Sequence, residues 1–321
     1  MRTLLLLVCA SCVCAGFQDT PEWEQLMDTG RTNLMRLDFA GAAVSFDRAA
    51  RLAEKLPPEG GELVRAINGL ATAHKNMGRL AESAREYRRA IDLSAGTRLR
   101  GSVTYAYLLA NLAAVEIERR SFGEARQMLA EAIEIDERIG PDSVQLAIAR
   151  QLMGSVMMHE GEYESAEKLV NQAISVMRNN PEAPPDLEPF ALEHLGHLRR
   201  LQRRSEEALA AFRQALEKFE RILGPDHPVL VLELNNIAVQ LTVLGRKAEA
   251  RSNFERAVTL LDRYEKANPA TKGQILSNYA AFLRKAGDSR QANLVARRAS
   301  AIQDSLPVDV SALGTRTFRK E

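Results

Sequence analysis

Seven alanines set the terms for this chain. They stand at Ala49, Ala90, Ala132, Ala173, Ala215, Ala257 and Ala299, separated by 41, 42, 41, 42, 42 and 42 residues. Chance does not hold that register from residue 49 to residue 299. The same residue types return around each alanine: a small residue, a turn former, a further Ala, an aromatic or apolar side chain, then the closing Ala. The clearest copy is Met153-Gly154, Gly161-Glu162-Tyr163, Ala166, Val170 and Ala173. Later copies run through Gly196, Ala208 and Phe212, through Ala238, Gly245, Ala250 and Phe254, and through Ala280, Gly287, Ala292 and Ala296. Earlier ones use Ala113, Phe122, Ala125 and Leu129, and before them Ala71, Gly78, Leu80 and Tyr87. The first copy is the faintest, with Gly30, Phe39, Ala42 and Phe46. A fixed period of this length marks a repeat architecture. Seven copies cover residues 22–305.

Each copy reads as two helices. The run 143–160 opens on Ser143, a good N-cap, and stops one residue before Gly161. The run 162–178 places apolar or small residues at 163, 166, 169, 170, 173, 174 and 177. Gaps of three and four put these on one helix face. So short a connection turns the second helix back antiparallel to the first. Gly154 and Ala166 are expected to let the two backbones approach, and Ala173 to admit the next pair. A larger side chain there would overpack, at roughly 1–3 kcal/mol. A single pair cannot bury its own apolar face, so pairs must stack. The expected fold is an all-α solenoid of antiparallel helix pairs.

Between copies, Gly140-Pro141-Asp142-Ser143 and Gly224-Pro225-Asp226-His227-Pro228 end one helix and begin the next. His227 is expected to serve its turn. The longest break is 179–189, with four prolines, read as a rigid loop or mild hinge. The period resumes on schedule after it, so no domain boundary is placed there. Residues 306–321 carry no repeat and read as a C-terminal tail or cap. Trp23 is expected in the N-terminal core.

The first fifteen residues have a different character. Arg2 is followed by an apolar run from Leu4 that weakens towards Ala15, and Val13-Cys14-Ala15 is a fair cleavage site. This reads as a signal peptide over residues 1–15, directing the chain to the periplasm or outside the cell. The run is too short to span a bilayer as a helix. The alternatives are a misassigned start, a short anchor, or lipidation at Cys12, where Ala10-Ser11-Cys12 resembles a lipoprotein signal although Cys9 replaces the favoured Leu. Cys9, Cys12 and Cys14 are all the cysteines, so cleavage after Ala15 would leave a thiol-free chain.

Lys and Arg number 43 and Asp and Glu 42. That balance argues against nucleic acid as the main partner. Acidic residues such as Glu116-Ile117-Glu118 and Glu206-Glu207 lie among Arg-rich stretches and read as solvated faces with modest ion pairs. Of five histidines, only His194 and His197 share a helical face, and no third ligand joins them, so no metal is expected. No phosphate loop and no supported serine nucleophile are visible. No enzyme activity and no cofactor are expected.

The paired small residues, the Gly before the second helix, the aromatic within it and the closing Ala resemble the tetratricopeptide repeat family. The period is closer to the long repeats of kinesin light chains, and Gly224 to Pro228 with Leu234-Asn235-Asn236-Ile237-Ala238 are especially similar to them. Arg203 and Ser205 depart from the family's Gly and aromatic, so that turn and the first copy are expected to be locally irregular. The resemblance implies a right-handed α–α superhelix whose first helices line a concave groove. It also implies a groove that binds a protein or peptide through asparagines, here Asn111, Asn236 and Asn278, with Asn68 and Asn235 one residue earlier. An Asn amide both donates and accepts, so it can grip a peptide bond whatever the partner's sequence. Leu152 and His194 occupy the same phase in the middle copies and would make the groove's centre apolar and imidazole-lined. Tyr105, Gln151, Glu193, Arg199 and Gln240 are further candidates. The bland alternative is that some asparagines only tie neighbouring helices together.

The leading functional expectation is an exported bacterial interaction scaffold. The others are a structural or assembly subunit, and a sensory module acting with a separate regulator chain.

Overall fold

The apolar spacings become fourteen α-helices among the described residues. The computed structural model describes residues 21–57, 61–95, 99–140, 142–263 and 269–304. The helices are α1 (Glu22–Met35), α2 (Phe39–Ala53), α3 (Glu62–Asn76), α4 (Leu80–Ala95), α5 (Val103–Glu118), α6 (Phe122–Ile139) and α7 (Val144–Glu160), followed by α8 (Tyr163–Asn179), α9 (Leu187–Leu201), α10 (Ser205–Leu223), α11 (Leu230–Val243), α12 (Lys247–Arg263), α13 (Pro269–Ala286) and α14 (Ser289–Asp304). The signal segment with Cys12, and the tail after residue 305, lie outside the described residues.

The chain divides into two compact units between Leu198 and Arg199. In the first, α1–α2, α3–α4, α5–α6 and α7–α8 are hairpins, joined through α2–α3, α4–α5 and α6–α7. In the second, α11–α12 and α13–α14 are hairpins, joined through α10–α11 and α12–α13. Each unit is a stack of helix pairs, and the fold is an all-α helix-pair solenoid.

The alanine register is a buried seam. The closing alanines are at most 3% exposed in every copy, and the alanines seven residues or so before them, from Ala42 to Ala292, are 0% exposed. Phe46, Tyr87, Phe212 and Phe254 fill the space beside them at 1% or less. The small residues earn their place by distance. A Cβ on Gly154 would lie 2.7 Å from Val170 Cγ2 and 3.3 Å from the Ala166 carbonyl oxygen, so α7 and α8 close against each other at that point. In the first unit the Phe46 ring sits over both Gly30 and Gly69, each of whose added Cβ would fall 2.6 Å from it. Trp23 is buried in the same core, with the Arg65 guanidinium 4.8 Å from its ring centre.

Helix ends follow the expected chemistry. Ser143 Oγ accepts the Leu146 N–H at 3.1 Å and starts α7, and Gly161 ends it with φ of 84°. The break at 179–189 is shorter than its prolines suggest. Helix α9 begins at Leu187 and takes Pro189 into its first turn, where a backbone N–H has no helical partner to lose. His227 serves its turn: its Nδ1 accepts the Val229 N–H at 3.3 Å.

The turn inside each pair repeats more strictly than the sequence does. A left-handed residue occurs at Leu37, Gly78, Arg120, Gly161, Arg203, Gly245 and Gly287, with φ between 60° and 94°. The next residue's N–H then reaches back five residues, as in Asp38 to the Asn33 carbonyl at 2.9 Å and Ser121 to the Glu116 carbonyl at 2.8 Å. Arg204 does the same to Arg199 at 2.9 Å. The irregularity expected around Arg203 and in the first copy is therefore absent. The same six-to-one hydrogen bond closes those turns, and it holds three residues with a Cβ in a conformation that suits Gly. Such a residue costs roughly 1–2 kcal/mol.

Charged side chains stitch successive second helices together. Arg88 on α4 meets Glu124 on α6 at 3.1 Å, Arg126 on α6 meets Glu162 at the start of α8 at 2.8 Å, and Arg213 on α10 meets Glu249 on α12 at 2.8 Å. These pairs are about half exposed and individually weak. Glu116 corrects the reading of its segment as a solvated face. It is 0% exposed, and its carboxylate takes Arg88 at 2.7 Å and Arg119 at 2.8 Å. The two guanidiniums replace the water that burial removed. Asp136 on α6 has no such help. It is 2% exposed, its Oδ1 has no partner, and it stands where other copies carry Ala53, Ser94, Met177, Phe219 or Leu261. Burial pushes its carboxyl up to about 6.

Two outcomes follow from these local conflicts. Replacing Arg120 with Gly should raise unfolding free energy by about 1 kcal/mol in denaturant titration, while Gly161→Ala should lower it by a similar amount. For Asp136 the folded carboxyl holds its proton more tightly than the unfolded one. The protonated form is therefore favoured by folding, and stability falls as pH rises from about 4 to about 6, then stays lower. Asp136→Asn should remove that slope and stabilise the chain at neutral pH by about 2–3 kcal/mol, checked by denaturant midpoints across pH.

Candidate functional site

The first helices from α3 to α13 carry a polar row whose members meet in twos. In the first unit, Asn111 Nδ2 on α5 donates to Asn68 Oδ1 on α3 at 3.2 Å. Two helical turns further on, Lys75 Nζ lies 3.7 Å from Glu118 Oε1. Both pairs are 43 residues apart. A step of seven residues returns nearly to the same helix face, so the two contacts lie along one side of α3 and α5. Farther along the same unit, Gln151 Nε2 on α7 donates to His194 Nδ1 on α9 at 3.1 Å, again 43 residues apart, and Ser155 Oγ lies 3.2 Å from the same nitrogen.

The second unit repeats the arrangement independently. Asn278 Nδ2 on α13 donates to Asn235 Oδ1 on α11 at 3.0 Å. Gln274 Nε2 in turn donates to Asn278 Oδ1 at 3.0 Å. In both units the same residue type bridges neighbouring first helices at the same phase.

These bonds leave capacity unspent. An amide offers two N–H donors and an oxygen with two lone pairs. The Asn68–Asn111 bond uses one donor and one oxygen. Asn68 Nδ2 and Asn111 Oδ1 make no hydrogen bond among the described residues, and both side chains are half-buried. Asn278 is likewise half-buried. Each pair ties two helices, and the Asn68–Asn111 pair still presents polar atoms, whereas Asn235 in the other pair is buried at 8% exposure.

The sequence-derived set divides on this basis. Asn68, Asn111, Asn235 and Asn278 come together in two pairs. Asn68 and Asn235, one residue out of phase by the repeat count, are the acceptors of those pairs. Asn236 is half-buried and takes no part in the pairing. Leu152 is 6% exposed and belongs to the core side of α7. Tyr105 is also core, at 7%. Gln151 and His194 meet each other. The contact spacing of 43, one more than the repeat, is the signal that would have found these partners, and also the Lys75–Glu118 pair that the sequence reading passed over.

Electrostatics fix the state of the imidazole. Burial pushes the His194 ring down to about 4; Glu193 opposes this and His197 adds to it. The ring is therefore neutral near pH 7. Gln151 supplies an N–H to Nδ1, so the proton resides on Nε2. Neighbouring His197 Nε2 lies 3.4 Å from Glu193 Oε1. Burial also lowers Lys75, with Glu118 pulling it back up. Among the described residues, no group of three or more His, Cys, Asp or Glu could hold a metal ion, and no helix is long and apolar enough to cross a membrane.

Comparison with known proteins agrees with this geometry. A tetratricopeptide repeat family model matches residues 104–179 and 188–261, and a second model of the same description matches residues 64–97. Together they take in more than half of the chain. Protein KINESIN LIGHT CHAIN-RELATED 2 of Arabidopsis thaliana is 28% identical over 181 residues, which is 56% of this chain and 27% of that protein. The chain thus spans about a quarter of that relative's length. Among solved structures, BtubC (BKLC) from P. vanneervenii has a TM-score of 0.57 at 20% identity, over 76% of this chain and 93% of its own. A Rap protein complexed with Competence and Sporulation Factor has a TM-score of 0.66 at 12% identity, over 91% of this chain and 88% of its own. These two likenesses concern the fold alone. The helix pairs, their register and the family matches lead to one assignment: the chain belongs to the tetratricopeptide repeat family, with repeats that resemble those of kinesin light chains.

Proposed function

We propose that the chain is an exported scaffold that holds a polypeptide partner along the polar faces of its first helices. The observation that carries this is the doubled amide pair, Asn68–Asn111 in one unit and Asn235–Asn278 in the other. A backbone-binding face needs groups that donate and accept without regard to sequence, and amides do both. The pairing also holds each amide in one orientation before a partner arrives, which reduces the ordering cost of binding. The fold shared with a Rap protein complexed with Competence and Sporulation Factor supports a binding role for this architecture. Export rests on the Arg2, Leu4–Val8 and Ala15 pattern, and the compartment proposed is the periplasm or the cell exterior.

Pull-down from an envelope fraction tests the binding face. The intact protein should capture partners that an Asn111→Ala, Asn236→Ala, Asn278→Ala variant loses. A companion Asn68→Ala, Asn235→Ala variant should lose them too, because it removes the acceptors of the pairs. Melting curves of both variants distinguish loss of a partner from loss of fold. Equal capture by all three proteins sinks the assignment. Mass spectrometry of the protein from its native cell should find a mature chain beginning at Gly16; an intact Met1 in the cytosol counts against export.

A further inference from the structure

We propose that the turn edge of the second unit is a separate docking surface for an acidic polypeptide segment. This edge carries the turns after α9, α11 and α13. Cross-turn ion pairs show that they adjoin: Arg246 lies 3.8 Å from Glu206, and Arg251 lies 3.4 Å from Asp288.

Charge at this edge does not balance. Its carboxylates are engaged, Glu207 by Arg204 at 2.8 Å, Glu249 by Arg246 at 2.7 Å, Glu206 by Arg246 and Asp288 by Arg251. Six exposed cations remain without an ion pair or side-chain hydrogen bond among the described residues: Arg200, Arg203, Lys247, Arg284, Lys285 and Arg290. At the opposite ends of the helices in this unit most cations are paired, although Arg297 is exposed without an ion pair among the described residues. There Arg256 meets Glu220 at 2.6 Å, Arg263 meets Asp226 at 2.8 Å, and Arg298 and Lys272 meet Asp262 at 2.7 and 3.7 Å.

Helix chemistry explains only part of the excess. Arg200, Arg284 and Lys285 lie in the last turns of α9 and α13, where the helix dipole welcomes a cation. Lys247 and Arg290 lie in the first turns of α12 and α14, where the same dipole repels one. Cations kept at an unfavourable end, exposed and unpaired, fit a surface that meets negative charge from outside.

The surroundings select the kind of anion. Leu201 is 39% exposed and Val243 is 61% exposed, at matching ends of α9 and α11 beside these cations. No exposed aromatic ring lies among them, so the stacking platform that single-stranded nucleic acid uses is missing. Interleaved aliphatic and basic side chains suit an acidic peptide that also carries aliphatic residues. The surface does not use Asn235 or Asn278, so it stands or falls apart from the polar face of the first helices.

The test uses the full chain and a labelled short peptide of Asp and Glu with two leucines. Binding should be measurable at low ionic strength, should weaken as salt rises, and should vanish for the peptide with Asn and Gln in place of the acids. An Arg200→Glu, Lys247→Glu, Lys285→Glu variant alters only exposed positions and should weaken binding by about tenfold or more. Arg256→Gln with Arg263→Gln, at the opposite helix ends, should leave it unchanged, and circular dichroism melts check that both variants are folded. Three results overturn the proposal: equal binding of the acidic and neutral peptides, no effect of the charge reversal, or a stronger response to phosphatidylglycerol vesicles or a single-stranded oligonucleotide than to the acidic peptide.

Discussion

The structure depends on how closely two helical backbones can approach. Ala42, Ala84, Ala125, Ala166, Ala208, Ala250 and Ala292 sit on the seam, as do the closing alanines, and Gly30, Gly69 and Gly154 lie where a Cβ would meet a neighbouring helix's side chain below 3 Å. Because these sites are small, the aromatic or branched neighbour can lie across them. Phe46 covers two glycines at once, and Val170 fills the space over Gly154. The helix pair is thus set by what is missing from one side chain and present on the next. Hydrophobic burial then follows from stacking pair on pair, since the outer face of each pair is covered by its neighbour.

That close seam governs where polar groups can go. On the second helices, charge moves outward into half-exposed ion pairs between successive copies. On the first helices, neighbouring backbones are near enough for short amides to reach one another directly. Asn68 with Asn111 and Asn235 with Asn278 are possible only at such an approach. Glu116 and Asp136 mark the two outcomes for a carboxylate caught inside. One is met by two guanidiniums and costs little, and the other remains unmet and shifts its proton affinity instead.

Much of the fold was legible in the residues. The alanine spacing, the Ser143 cap and the Gly161 stop located α7 and α8 almost to the residue, because caps and periodicity are local properties. The conformation at Leu37, Arg120 and Arg203 was not legible, since nothing in a Leu or Arg side chain announces a left-handed backbone. It accompanies the six-to-one hydrogen bond that closes each of these turns. Pro189 misled in the opposite direction, because proline in a first turn is compatible with helix. The candidate site was half legible. Asn111 and Asn278 share one repeat phase and Asn68 and Asn235 stand one residue earlier, and their mutual bonds depend on a 43-residue contact step that a 42-residue repeat count conceals. Glu116 was misread because burial of a charge is decided by Arg88 on the preceding helix, beyond the reach of any pattern within its own segment.

The six-to-one turn bears on how the chain folds. Its hydrogen bond spans only five residues, so closing it asks for very little loop entropy. The same turn occurs in every pair, and within each unit the main contacts join helices adjacent in sequence. Contacts so close in sequence favour rapid folding. The chain therefore holds many equivalent starting points for a nucleus. The copies with Gly at the turn, such as those at Gly78, Gly161, Gly245 and Gly287, can enter the left-handed conformation without the penalty borne at Leu37, Arg120 and Arg203.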